Sequence, residues 1–262
     1  DASQDHSASL GWQGRRLMCK WGIIHTNDFH DRLSPDAASR LVKLVQDCDI
    51  PKVVLDAGDC IKAGNLGASI TQERIWDVMR KVGYDAITMG NRETHPMLSV
   101  VRGKLAGAPC PILSANQVAK TGPLNLPFTT HITVERCGLS IGVIGVTIPM
   151  VTRRSKMSIA WDTVFEQPID TVKQLTQMLR PQVDVLIALT HIGIAEDRAL
   201  AAAVPELDLI VSGHSHRLHS EPEVVDGVPI LQAGSFGRFA GMATMDGPIL
   251  VDYAMIALDG AE

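Results

Sequence analysis

Five short apolar runs, each followed within a few residues by a carboxylate, an imidazole or a carboxamide, constrain this chain more than any other feature. Asp28 and His30 follow the run 21–26. Asp59 follows 52–56 across Ala57-Gly58, and Asn91 follows 86–89 across Gly90. His191 follows 183–189, while His214 and His216 follow 207–212 across Gly213. Such runs, rich in β-branched residues and bounded by Gly, Pro or Asn, read as strands. In open α/β sheets ligands bind beyond the carboxyl ends of the strands. Five strands therefore deliver seven polar side chains to one rim.

The segments between the strands carry helical periodicity. In 35–48, Ala37, Leu41, Leu44, Val45 and Cys48 recur at helical spacing, and helices are also predicted over 71–82, 96–106, 167–179 and 196–204. A further strand is predicted at 112–115. The texture then changes: 131–136 and 139–146 flank Cys137-Gly138 as a hairpin, and the chain from 223 reads mostly as strand, at 223–225, 229–233 and 241–258 with interruptions. Strand–helix alternation followed by antiparallel strands predicts an α/β fold. Two mixed β-sheets pack face to face as a sandwich with helices outside. No linker or repeat interrupts 20–258, so 20–262 is expected to form one domain. Residues 1–19 read as a polar tail or an added extension.

Composition narrows the function classes. The chain has 262 residues, 45% of them hydrophobic, enough for a sizeable core. Its formal charge is −5. Mild acidity gives no nucleic-acid or anionic-membrane footprint, so an enzyme for phosphates would have to bring in local positive charge, and bound metal is one source. No apolar run is long enough to span a membrane. The five cysteines are odd in number and show no C-x-x-C spacing, which argues against a disulfide framework and a cysteine zinc site. A reducing, cytoplasmic setting is expected. Oligomerisation is left open.

The seven rim residues offer oxygen and nitrogen donors without thiolate. That set suits manganese first, with zinc, iron or cobalt also compatible. Seven donors exceed the needs of one tetrahedral ion. Two ions about 3.5–4 Å apart sharing a carboxylate would use them, activating a water and clamping phosphoryl oxygens. Taken singly, each residue has an ordinary explanation: Asp28 as a turn residue, Asp59 as a helix cap, Asn91 as a left-handed turn residue. The joint placement would require five independent coincidences.

The motifs His25-Thr-Asn-Asp-Phe-His30, Asp56-Ala-Gly-Asp59, Met89-Gly-Asn-Arg-Glu93, Leu189-Thr-His-Ile-Gly193 and Ser212-Gly-His-Ser-His216 occur in that order. Together they resemble the calcineurin-like metallophosphoesterases, and within them the catalytic domain of the 5′-nucleotidase and 2′,3′-cyclic phosphodiesterase family. The likeness covers about 21–258. It implies that Asp28, His30 and His216 hold one metal, that Asn91, His191 and His214 hold a second, and that Asp59 bridges them. It also implies hydrolysis of a small-molecule phosphate ester or anhydride by metal-bound hydroxide, in a two-sheet fold.

The chain departs from that pattern at the acid position. The family usually reads Gly-Asn-His-Glu where this chain has Gly90-Asn91-Arg92-Glu93, and an Asp that supports the histidine is here His95. Arginine stays protonated and cannot serve as a general acid at neutral pH. Three readings stand: Arg92 clamps phosphate and favours good leaving groups, His95 substitutes as the acid, or the site binds metal with little turnover. The last would make the protein a scaffold for a phosphate ligand or a protein partner. Asp31, where a glycine is common, reads as a turn residue, and Cys60 as a small packing residue. Many family nucleotidases carry a C-terminal domain that stacks the base. The chain ends at Glu262 and its eleven aromatics form no evident clamp, so a nucleotide preference is not carried over. The loop 147–166, with Arg153-Arg154-Ser155-Lys156, is the main basic segment and a candidate for selectivity.

Overall fold

The structure, a computed structural model, describes residues 20–260; the tail expected at 1–19 lies outside them. Along the chain run β1 (Lys20–Thr26), α1 (Pro35–Asp47), β2 (Lys52–Asp56), α2 (Ile75–Val82), β3 (Ala86–Thr88), α3 (Leu98–Leu105), β4 (Ile112–Leu113), β5 (Gln117–Ala119), β6 (His131–Arg136) and β7 (Leu139–Thr147). They are followed by β8 (Thr163–Phe165), α4 (Pro168–Leu179), β9 (Val185–His191), α5 (Ile194–Ala203), β10 (Leu209–Ser212), β11 (Glu223–Val225), β12 (Val228–Leu231), β13 (Phe239–Asp246) and β14 (Ile249–Ala257).

One six-stranded sheet has the order β14-β13-β1-β2-β3-β4, the other β11-β12-β10-β9-β7-β6. Both are mixed. β1, β2, β3 and β4 pair in parallel, while β13 joins β1 antiparallel. In the second sheet β7, β9, β10 and β12 are parallel, and β6 and β11 close the edges antiparallel. The sandwich with outer helices is therefore the observed architecture.

The strands read as continuous apolar runs because both faces are covered. Along β1, Ile23 points between the sheets, into the cluster of Leu55, Val143, Ile187 and Val211, and Ile24 points outward to the cluster of Leu41, Trp76 and Met79. The second sheet repeats this arrangement: Leu186 and Ile210 share a cluster with Val172 of α4 and Leu200 of α5. Each such buried aliphatic side chain contributes about 1.5–3 kcal/mol. A one-residue slip would turn Ile23 and Ile24 onto each other's faces, so the register is strongly specified.

Three local expectations change. Helix 71–82 begins only at Ile75, because Glu73 is committed to its loop, accepting from Ser69 Oγ at 2.5 Å and Lys62 N at 3.1 Å. A two-stranded sheet of β5 and β8 joins a segment with no predicted element to part of the loop 147–166. Cys137 is disulfide-bonded, whereas Cys48, Cys60 and Cys110 are free. An odd count does not prevent one pair, and that bond removes the cysteine argument for a reducing setting. Among the described residues no helix is long and apolar enough to cross a membrane.

Candidate metal centre

The rim at the strand ends is built on left-handed backbone. Among the described residues nine non-glycine positions have positive φ. Five of them are Asp28 (54°), His30 (51°), Asp59 (56°), His214 (73°) and His216 (54°), and Asp31 and Phe236 are their neighbours. Such conformations cost of order 1–3 kcal/mol each and persist where the surroundings over-determine them. Two glycines let the strand-end loops close on one another. A Cβ on Gly90 would strike the Asp59 carboxylate, and one on Gly213 would sit 2.5 Å from Ala57 O and 2.9 Å from His191 Nδ1.

Asp28, buried, is the hub. Its Oδ2 accepts from Asn27 Nδ2 at 2.8 Å and from the His214 backbone N–H at 2.9 Å. Its Oδ1 lies 3.1 Å from His216 Nε2 and 3.5 Å from His30 Nε2. The two Asp59 oxygens face different neighbours: Oδ2 lies 3.4 Å from His30 Nε2, and Oδ1 lies 3.6 Å from His191 Nε2. Asn91 Oδ1 is 3.3 Å from His191 Nε2 and 3.1 Å from His214 Nδ1. Asp28, His30 and His216 thus offer ligand atoms within 4.8 Å of one another, as do Asp28, Asp59 and His191.

Neighbouring groups aim these ligand atoms. His191 Nδ1 donates to Ala57 O at 2.6 Å, which turns Nε2 toward the carboxylates and, in the neutral ring, makes it the nitrogen with a lone pair for a cation. The Phe236 ring packs edge-on against His30 and His216, with centroids 5.3 and 5.4 Å away, and Arg32 covers it at 4.4 Å. Burial works against charge on Asp28, yet His216 and His30 hold its carboxyl below the ordinary range. Burial likewise opposes protonation of His30, but Asp28 and Asp59 push it up to about 9. Burial opposes charge on His191 too, and Asp59 outweighs it, so that pKa is raised as well. In the protein alone, protons on imidazoles answer the carboxylates; a divalent cation competes for the same lone pairs.

The donor set fits such a cation. Asp28 Oδ1 and His30 Nε2 are buried and form no well-aligned hydrogen bond, having only ion-pair contacts with each other, His216 and Asp59. An unsatisfied buried polar atom costs about 1–3 kcal/mol, a deficit that coordination would remove. A family model described as calcineurin-like phosphoesterase matches residues 22–218. The chain belongs to that family.

Individual relatives agree with this placement. The chain is 28% identical to the uncharacterized metallophosphoesterase YunD of Bacillus subtilis, over 85% of this chain and 49% of that protein. It is 30% identical to the trifunctional nucleotide phosphoesterase protein YfkN of the same organism, over 84% of this chain and 17% of that protein. Among solved structures, the 5′-nucleotidase precursor from Thermus thermophilus superposes with a TM-score of 0.73 at 25% identity, covering 91% of this chain and 54% of the other. The chain thus spans about half or less of these relatives. As a calcineurin-like phosphoesterase it belongs to a family of metal-dependent phosphoesterases, which implies divalent cations.

The acid segment is held differently. The Arg92 backbone N–H donates to Asp59 Oδ1 at 2.7 Å. The guanidinium donates to Lys62 O at 2.9 Å, with Nε 3.9 Å from Asp59 Oδ2. His95 Nδ1 accepts from Met97 N–H at 3.0 Å, and burial lowers its pKa. Among the described residues Arg92 has its ion-pair contact with Asp59 and none with Glu93 or Asp31. Glu93 is fully buried and accepts four backbone N–H groups, from Asp59 (3.1 Å), Cys60 (2.9 Å), Ile61 (3.3 Å) and Gly90 (2.8 Å). In the loop 147–166, Arg153 is spent on Glu166 at 3.2 Å and on the Lys120 carbonyl at 3.0 Å, while Ser155 accepts from Met157 N at 3.2 Å. Cys60 is buried and donates to Asp56 Oδ1 at 3.0 Å; burial raises its thiol pKa.

Sequence reasoning missed Asn27, Asn65, Glu93 and Phe236 as supports of the site. Glu93 and Asn27 stand inside the quoted motifs. Asn65 sits in a loop with no pattern to mark it.

Proposed function

We propose that this protein hydrolyses small-molecule phosphate esters or anhydrides, nucleotides among the candidates, using two divalent cations. The carrying observation is the convergence of Asp28, His30, Asp59, His191 and His216, with two buried ligand atoms left without a well-aligned hydrogen bond. Asp28, His30 and His216 would hold one cation and Asn91, His191 and His214 the other, with Asp59 offering one oxygen to each. Manganese is the first candidate, and zinc, iron and cobalt suit the same donors. Such cations supply Lewis acidity toward phosphoryl oxygens and lower the pKa of a water so that it attacks phosphorus.

The chain's own residues position and discriminate. Arg92, beside Asp59 and braced by Lys62 O, is placed to grip phosphoryl oxygens. It keeps its proton, so the leaving group must depart unassisted by it. Aryl phosphates and phosphoanhydrides meet that demand; alkyl phosphates do not. One observation favours a second reading, a metal-binding scaffold with little turnover: His95 Nδ1 accepts from the Met97 backbone N–H, which ties the ring to its own segment.

The test compares an aryl with an alkyl phosphate on the Mn²⁺-loaded protein, wild type against Arg92→His. Wild type should strongly prefer the aryl ester. Arg92→His should narrow the gap, a general acid contributing about 10²–10⁴-fold on the poorer leaving group. Equal leaving-group sensitivity in the two proteins sinks the role given to Arg92. Absence of aryl phosphate turnover in the wild type selects the scaffold.

A further inference from the structure

The loop between β2 and α2 reaches the rim through a side-chain contact with a proposed ligand. Asn91 Nδ2 donates to Asn65 Oδ1 at 2.9 Å, and this leaves Asn91 Oδ1 facing His191 and His214. The two ends of a carboxamide are chemically opposite: only the oxygen can coordinate a cation, and the NH₂ repels it. Turned over, the amide would point its NH₂ at two imidazole lone pairs and lose the cation.

The loop itself is pinned. Lys104 is fully buried and its ammonium donates to Gly64 O (2.9 Å), Asn65 O (3.4 Å), Arg92 O (2.7 Å) and Thr94 O (2.7 Å). Those four carbonyls belong to the Asn65 loop and to the segment that follows Asn91. Lys104 therefore fixes the distance between the two loops, and Asn65 uses that fixed distance to orient Asn91.

We propose that Asn65 is a positioning residue for one of the two cation positions, the one served by Asn91, His191 and His214. The inference rests on the ligand assignment proposed above. Asn65 acts through the orientation of one amide. It leaves the position of Asp28, His30 and His216 untouched, since its hydrogen bond goes to Asn91 and not to them. Its own side chain can present either an oxygen or an NH₂ to Asn91, so an acceptor-only residue there should serve as well as Asn65 or better.

Calorimetric titration of the metal-stripped full chain with Mn²⁺ tests this, with Asn65→Ala, Asn65→Asp and Asn91→Ala beside wild type. Wild type should take up two ions. Asn65→Ala should keep one at wild-type affinity and bind the other about 10–100-fold more weakly, the usual effect of losing an outer-shell partner. Asn65→Asp should retain both. Wild-type affinity for both ions in Asn65→Ala, with one lost in Asn91→Ala, overturns the positioning role alone. Loss of both ions in Asn65→Ala, or equal weakening in Asn65→Asp, marks a general structural role and overturns it too. Two full-affinity ions in Asn91→Ala overturn the ligand assignment beneath it.

Discussion

Asp28, His30, Asp59, His214 and His216 sit on left-handed backbone and turn their side chains toward one another, whereas Arg92 and His95 lie on a segment with no positive φ and bond chiefly to main chain. On the first side, buried ligand atoms are left without a well-aligned hydrogen bond. On the second, the guanidinium and the imidazole already have backbone partners. Strain and unmet bonding are tolerated where a cation would repay them, and the segment that would carry an acid is instead satisfied by its own main chain. The contrast accounts for a family member with a rich donor set and an altered acid position.

The largest effect that would break this comparison comes from Asp59→Asn. Removing the charge that faces both His30 and His191 should lower Mn²⁺-dependent aryl phosphate turnover by at least about 100-fold, the upper end for outer-shell partners alone. Turnover near wild type would mean that Asp59 is a structural cap. Glu93→Gln comes next. The amide would set an NH₂ against backbone donors of Asp59, Cys60, Ile61 and Gly90, so chemical denaturation should show a loss of about 3 kcal/mol. An unchanged midpoint would remove Glu93 as the brace between the two sides. The smallest effect belongs to His95→Ala, which should change turnover by less than about threefold, where loss of a general acid would cost about 10²–10⁴-fold. A loss of that size would place His95 in the chemistry and erase the contrast.

Much of the fold was legible because it is local. Both faces of β1, β2, β7, β9 and β10 are covered, so their sequences run apolar; Ala37, Leu41 and Val45 give α1 its buried stripe. Cys137-Gly138 between two strand-like runs made the hairpin readable as a turn, and both residues take positive φ there. The short strands β5 and β8 were not, because three residues carry no period and their pairing spans more than forty positions. The late start of α2 followed from Glu73 bonding back to Lys62, a contact that no spacing announces.

By itself the sequence determined which side chains reach the rim, since each follows directly on a buried strand whose end is fixed by its own apolar run. It also determined that an arginine, Arg92, stands where the resemblance leads to the expectation of a histidine. Only the tertiary structure decided what those groups do to one another: that Asp59 turns separate oxygens to His30 and His191, that Asn65 faces Asn91, and that His95 is bound to backbone. Periodicity along a chain records which way a residue points. Hydrogen bonds between loops 26–186 positions apart arise only once the strands pair into sheets and the two sheets pack together.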